Sequence, residues 1–267
     1  MNKFKITLIM ASFWTLFSCN DKFKQTEFKP QSKQDIKNKT VTQIICDEKS
    51  TFNYNDFNDL KNNKYYDRFF AGKLSITSGQ IVCVDPLFKE LAYPQNWIIE
   101  KGEYPVYLYI GLEDDYIGRI AYAELNIKDE IPVYWEISLI SEKFLSDDFE
   151  KKMNGWYPVE TGLSSFSDFE TFKKYQEEMT NFYKNDKNAN FYNDVLAFQF
   201  AKNKNIPKSS RGEDWINYTP KNSKSNMIMF GSGYGDGLYT RYVGYDKNGN
   251  VVKFVTDFIK LDETEMR

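Results

Sequence analysis

The sequence predicts an α+β domain built largely on antiparallel sheet. Three observations carry that expectation. Runs rich in Val, Ile and Tyr crowd both ends of the chain, and the clearest amphipathic helix lies between them. Tight-turn signals, Ser78-Gly79 and Asp246-Lys247-Asn248-Gly249, separate neighbouring runs. Alternating βαβ units would instead place a helix between successive strands.

The first eighteen residues are of a different kind. A basic stub (Lys3, Lys5) leads into an apolar run from Ile6 to Phe17 and then Ser18-Cys19. That is the layout of a bacterial secretion signal with a small residue at the cut site. Read as a lipobox, it is cleaved before Cys19 once the thiol carries a diacylglycerol, and an acyl chain then caps the new amine. The run of about twelve residues is too short to span a bilayer core, which needs about 20. The expected organisation is a signal peptide over 1–18, a tether over 19–39 and a single globular domain over 40–267. The tether is Lys, Gln, Asn, Asp and Thr without apolar period, the composition of a solvated linker. The protein is therefore expected at the bacterial cell envelope, held to a membrane through the lipid on Cys19.

Val41 to Cys46 reads as the first strand, and a short helix is expected over Asp56 to Asn63. Lys73 to Thr77 and Gln80 to Val84 flank Ser78-Gly79 and read as a hairpin. Asp85-Pro86 ends the second arm, because proline cannot donate to a ladder and restricts the residue before it. Tyr104 to Leu112, Ile117 to Ile127 and Pro132 to Ile140 are three further strands. In the last, Val133, Trp135, Ile137 and Leu139 alternate with Tyr134, Glu136 and Ser138, which predicts one buried face. Ser167-Asp168-Phe169-Glu170 fits a capping box. Phe169, Phe172, Tyr175, Met179 and Phe182 then recur at helical spacing. A second helix is expected within Asp194 to Lys202, and the polar stretch Lys202 to Lys224 reads as irregular. Asn226 to Gly231, Gly237 to Tyr245 and Val251 to Ile259 close the chain as strands.

Composition narrows the chemistry. The chain has 267 residues and a formal net charge of −3, and loss of the signal leaves 33 Lys and Arg against 38 Asp and Glu. With no basic stripe interleaved with aromatics, nucleic acid is not an expected partner. The absence of histidine removes serine–histidine triads, cysteine–histidine dyads and the usual zinc sites. Twenty-two Phe, 19 Tyr and 5 Trp give ring surface for a substantial core and for a binding face. Once Cys19 is lipidated, Cys46 and Cys83 remain, either as a disulfide or as two separate thiols.

The densest cluster of special residues is Gly231-Ser232-Gly233-Tyr234-Gly235-Asp236-Gly237. Four glycines in seven positions admit turns closed to other residues. Gly233, Tyr234, Gly235, Asp236 and Gly237 are accordingly the candidate ligand-binding loop. It is no phosphate loop, since no Gly-Lys-Ser/Thr ending follows. The structural alternative is an ordinary glycine turn whose aspartate bonds backbone amides. Asp85, Glu160 and Asp257 also sit at strand or turn positions. Gathered with Asp236, they could hold Ca²⁺ or Mg²⁺ through oxygen, or supply a carboxylate pair for acid–base hydrolysis of a glycosidic bond. No cofactor is otherwise expected.

Several ordered segments resemble a known family. These are Ser78-Gly79-Gln80-Ile81-Val82-Cys83-Val84-Asp85-Pro86, Tyr104-Pro105-Val106-Tyr107-Leu108, and Arg119-Ile120-Ala121-Tyr122-Ala123-Glu124-Leu125. The tail adds Gly231 through Gly237, Gly244-Tyr245-Asp246 and Val255-Thr256-Asp257-Phe258. Together they are similar to the bacterial domain-of-unknown-function family 4241, which implies no activity that can be carried over. The family's middle motif has an aspartate, glycines and a second aspartate. Here the matching stretch runs from Glu160-Thr161-Gly162 to Phe166 and Asp168, with Glu for the first Asp and Ser164-Ser165 where a glycine is expected. The functional expectation is a non-enzymatic module that binds a protein or glycan partner at the envelope, an immunity-type inhibitor being one subclass. The alternative is a carboxylate-dependent hydrolase or an oxygen-liganded cation site on the acids named above.

Overall fold

The structure is a computed structural model that describes residues 61, 63–88, 92–112, 117–145, 154–204, 209–211 and 215–259. The expected signal peptide, tether, first strand and Cys46 lie outside the described residues, as does nearly all of the helix expected over 56–63.

The α+β expectation holds, with strands ordered in two antiparallel sheets. The seven-stranded sheet runs β1 (Tyr66–Ile76), β3 (Gly102–Gly111), β4 (Ile120–Asn126), β11 (Val251–Asp257), β10 (Gly237–Tyr245) and β5 (Tyr134–Ile137), with β6 (Trp156–Val159) also paired to β10. The four-stranded sheet runs β2 (Ile81–Val84), β7 (Leu163–Asp168), β9 (Met227–Gly231) and β8 (Trp215–Tyr218). One helix, α1 (Phe169–Asn185), follows β7 directly; a π turn (Tyr192–Leu196) then runs into α2 (Ala197–Lys202).

The four-stranded sheet is the middle layer, and its sequence shows it. Along β9, Ile228 and Phe230 join the core shared with the seven-stranded sheet, while Met227 and Met229 join the core beneath the helices. A strand covered on both faces reads as a continuous apolar run rather than an alternating one. The predicted helical stripe supplies the other side of that second core: Phe172, Tyr175 and Met179 are all buried.

Four sequence expectations are corrected. The arms flanking Ser78-Gly79 are not a hairpin: β1 pairs with β3, whereas β2 pairs with β7 in the other sheet. The turn instead hands the chain from one layer to the next. Asp168, not Ser167, caps α1, accepting from Glu170 N and Thr171 N, while the Ser167 hydroxyl donates to the Asp168 carbonyl. Glu170 turns outward to Lys173 at 2.6 Å. The stretch expected to be irregular contains β8, and β6 and β7 also form where no strand was expected. In β5 both faces are covered, Trp135 on one and Tyr134 and Glu136 on the other, so the single buried face expected there does not hold. Val133 is 47% exposed, while Tyr134, Glu136 and Ser138 are buried. Tyr134 OH and Tyr245 OH donate to the Glu136 carboxylate at 2.9 and 3.0 Å, which satisfies it inside the core.

Candidate loop site at the strand ends

Two buried carboxylates determine where the loops sit. Asp85 follows β2 directly and is 1% exposed. It accepts from Leu87 N (2.9 Å), Glu160 N (2.9 Å), Thr161 N (3.0 Å) and the Thr161 hydroxyl (2.8 Å). Burial pushes its carboxyl above the ordinary aspartate value, against the pull of these hydrogen bonds. Asp168 ends β7 and is likewise buried. Besides capping α1 it accepts from Thr77 N (3.0 Å), Thr77 Oγ1 (3.0 Å), Ser78 N (2.7 Å) and Ser78 Oγ (2.7 Å).

The arrangement is reciprocal. β2 and β7 pair antiparallel, Ile81 opposite Asp168 and Val84 opposite Ser165. Asp168, at the end of β7, clamps the turn that leads into β2. Asp85, at the end of β2, clamps the turn that leads into β7. Each carboxylate therefore closes one end of the same ladder.

The 160–162 turn held by Asp85 meets the glycine-rich loop. Ser232 N donates to Gly162 O at 3.0 Å. That loop is fixed from within: Ser232 Oγ and Tyr239 OH both donate to Gly235 O at 2.8 Å. Arg119 Nη1 donates to Gly233 O at 2.9 Å, and its guanidinium lies 5.5 Å from the Tyr234 ring centroid. Gly233 is required, since its φ is +63° and a Cβ there would meet Ile120 O at 2.9 Å and Ile259 Cγ1 at 2.8 Å.

The result is a crest of two adjoining loops. Glu160, Thr161 and Asp236 are exposed on it, and Tyr234 is 54% exposed. Burial, with a smaller contribution from the Asp236 charge, raises the Tyr239 phenol above its ordinary value. Gly237 opens β10 opposite Val159. Asp257 lies elsewhere in the sheet, at the end of β11 opposite Tyr122 and Thr240, and is half-buried. Cys83 is buried on β2; Cys46, with which it forms either a disulfide or a pair of separate thiols, lies outside the described residues, as does Cys19.

The four candidate acids thus divide. Asp85 and Glu160 share one turn, where Glu160 contributes its backbone amide and leaves its side chain exposed. Asp236 stands on the adjoining loop. Among the described residues, no three Asp, Glu or Cys side chains are grouped so as to hold a metal ion. No helix among them is long and apolar enough to cross a membrane. Sequence reasoning missed Thr161, whose hydroxyl and amide both serve Asp85, and Arg119, which steadies the loop from β4's approach. A threonine before a glycine and an arginine before a strand carry no local signal of those contacts.

No curated protein and no solved structure matches the chain. A family model matches residues 74–256, from the last three residues of β1 to the penultimate residue of β11, and carries the description "Protein of unknown function (DUF4241)". That span takes in both sheets, both helices and the crest, and the chain belongs to this family.

Proposed function

We propose that the protein is a lipid-anchored binding module of the bacterial envelope that engages a partner protein through the crest at 160–162 and 231–237. The observation that carries this reading is Tyr234, an aromatic ring 54% exposed on a loop whose backbone is held from several sides. A rigid, amphipathic ring with exposed Asp236 and Glu160 nearby is the kind of anchor that binding surfaces use, because little side-chain entropy is lost on contact. Membrane attachment rests on the sequence from Lys3 to Cys19. The alternative, a hydrolase or cation site on the acids, has less support, since Asp85 spends its oxygens on Leu87, Glu160 and Thr161.

The test has two arms. Cells fed an alkyne-tagged palmitate should label the wild-type chain and leave Cys19→Ser unlabelled. The domain from residue 20, immobilised, should retain one dominant envelope protein and lose it in both Tyr234→Ala and Asp236→Asn. Retention unchanged in both variants, with their unfolding curves intact, would remove the crest from the interface.

A further inference from the structure

The seven-stranded sheet turns one face to the four-stranded sheet and the opposite face away from it. Register places Arg68 (β1), Tyr107 and Tyr109 (β3), Glu124 and Asn126 (β4) and Lys253 (β11) on that outer face. Nothing in the crest uses them.

Glu124 is 1% exposed. Lys253 Nζ lies 3.0 Å and Arg68 Nη2 3.6 Å from its Oε1, and Tyr109 OH donates to its Oε2 at 2.8 Å. Burial and the Glu124 charge push the Tyr109 phenol far above its ordinary range, so it stays a donor. Two cations thus share one carboxylate, and a positive charge is left over. The Arg68 and Lys253 side chains keep 20% and 12% exposure, so both still reach solvent. The Arg68 guanidinium carbon sits 3.3 Å from the Tyr107 ring centroid, which fixes its fork.

A second, independent observation lies beside the cations. Asn126 is directly across the ladder from Lys253 and only 4% exposed. Its Oδ1 accepts no hydrogen bond among the described residues. Buried carbonyls are almost always paired, and one that is not marks a place for a missing donor.

We propose that Arg68, Lys253 and Asn126 form a binding site for a carboxylate that carries an N–H donor on the adjoining carbon. This is the group shared by N-acylated amino acids and peptide C-termini. Arg68 Nε donates to Tyr109 OH at 3.0 Å, so the carboxylate neutralises the surplus charge through the terminal Arg68 nitrogens and the Lys253 ammonium. The N–H supplies the hydrogen bond that Asn126 lacks. Phe70, 45% exposed and 5.7 Å from the Tyr107 ring, offers apolar surface for the ligand's side chain. The site is independent of the crest, and its failure would leave the crest reading untouched.

Calorimetric titration of the full chain tests it, with N-acetylalanine, its carboxamide and a pentapeptide ending in free alanine as probes. N-acetylalanine should bind saturably and the carboxamide should not. Lys253→Met and Asn126→Leu should each weaken binding about tenfold or more, the loss of one hydrogen bond to a charged or buried group. Asn126→Leu removes an unsatisfied carbonyl, so its melting temperature should hold or rise, which separates lost binding from lost fold. Tighter binding of the pentapeptide identifies a peptide terminus as the source, and equal binding identifies a free N-acyl amino acid. Absence of saturable binding, equal binding of the carboxamide, or affinity unchanged in both variants overturns the proposal.

Discussion

Replacing Asp85 with asparagine tests whether this acid holds the fold or serves chemistry. The side chain keeps its shape, but one of its two oxygens becomes an NH₂ group. If that group takes the place of Oδ2, it faces Glu160 N and Thr161 N, which now point at a donor. A buried donor left unmade costs about 1–3 kcal/mol. The neighbouring Glu160 and Thr161 side chains are exposed, so water relieves part of the loss, and the expected destabilisation is about 3 kcal/mol in all. For a domain of this size each kcal/mol moves the melting temperature by about 2–4 °C, giving a fall of about 6–12 °C. Urea unfolding followed by far-ultraviolet circular dichroism and by aromatic fluorescence measures it directly.

The pH dependence adds a second readout. Asp85 is held above the ordinary aspartate value of 3.8, chiefly by burial. An acid whose folded value is raised binds its proton more tightly in the folded state, so stability falls as pH rises between the unfolded and folded values. The advantage of wild type over Asp85→Asn should therefore shrink as pH climbs through that window from 3.8 upward. An Asp85→Asn protein as stable as wild type, or more stable, would refute the reasoning. Acids kept for catalysis behave that way, because relieving them of a strained role stabilises the fold.

Two further outcomes follow from the same geometry. Gly233→Ala drives a Cβ against Ile120 O and Ile259 Cγ1 at positive φ and should cost about 2–4 kcal/mol, whereas Gly235→Ala meets open space at φ +98° and should cost only about 1–2 kcal/mol of backbone strain. Thermal unfolding of the pair ranks them, and the reverse order would contradict the loop geometry. Burial pushes the Asp246 carboxyl up, but hydrogen bonds from Asn250 and Asn248 and the Lys128 charge outweigh it and hold it below 3.8. Its contribution is present above the unfolded value and lost as pH falls through the folded one. Asp246→Asn should thus flatten the acid limb of the melting-temperature profile below about pH 4, and an unchanged limb would show that this turn is not what acid disrupts.

The sequence made the long strands and α1 visible because their physics is local. Aromatic and β-branched runs mark β3, β4, β10 and β11, and three- and four-residue spacing marks the helix face. What was hidden depends on distant partners. No strand was expected over Leu163-Ser164-Ser165-Phe166-Ser167-Asp168, yet all six residues are buried in β7. The serines are tolerated because their hydroxyls are spent internally, Ser165 Oγ on Val84 O and Ser167 Oγ on Asp168 O. β8 is four residues long with an exposed Asn217 at its centre, inside a stretch marked by Pro207 and Pro220. The second buried face of β5 was hidden because Glu136 looks like a solvent residue until two tyrosine hydroxyls are brought to it. The glycine-rich loop was legible, since positive φ at Gly233 and Gly235 is what glycine supplies. The role of Asp85 was not, because Thr161 lies 76 residues away.

The reciprocal clamps explain why acids at turn positions mislead here. A carboxylate beside a proline or at a helix start invites a chemical reading, because both catalysis and capping favour aspartate in such places. What separates the two is where the lone pairs go. Asp85 and Asp168 each take donors from a turn more than seventy residues away, and those bonds close the two ends of the β2–β7 ladder. Their oxygens are spent in doing so. Glu160 and Asp236 have their side chains exposed on the loops that the clamp steadies. In the reading proposed above, recognition falls to the crest and to the Arg68–Lys253 face, and Asp85 serves by holding the 160–162 turn of the crest in place.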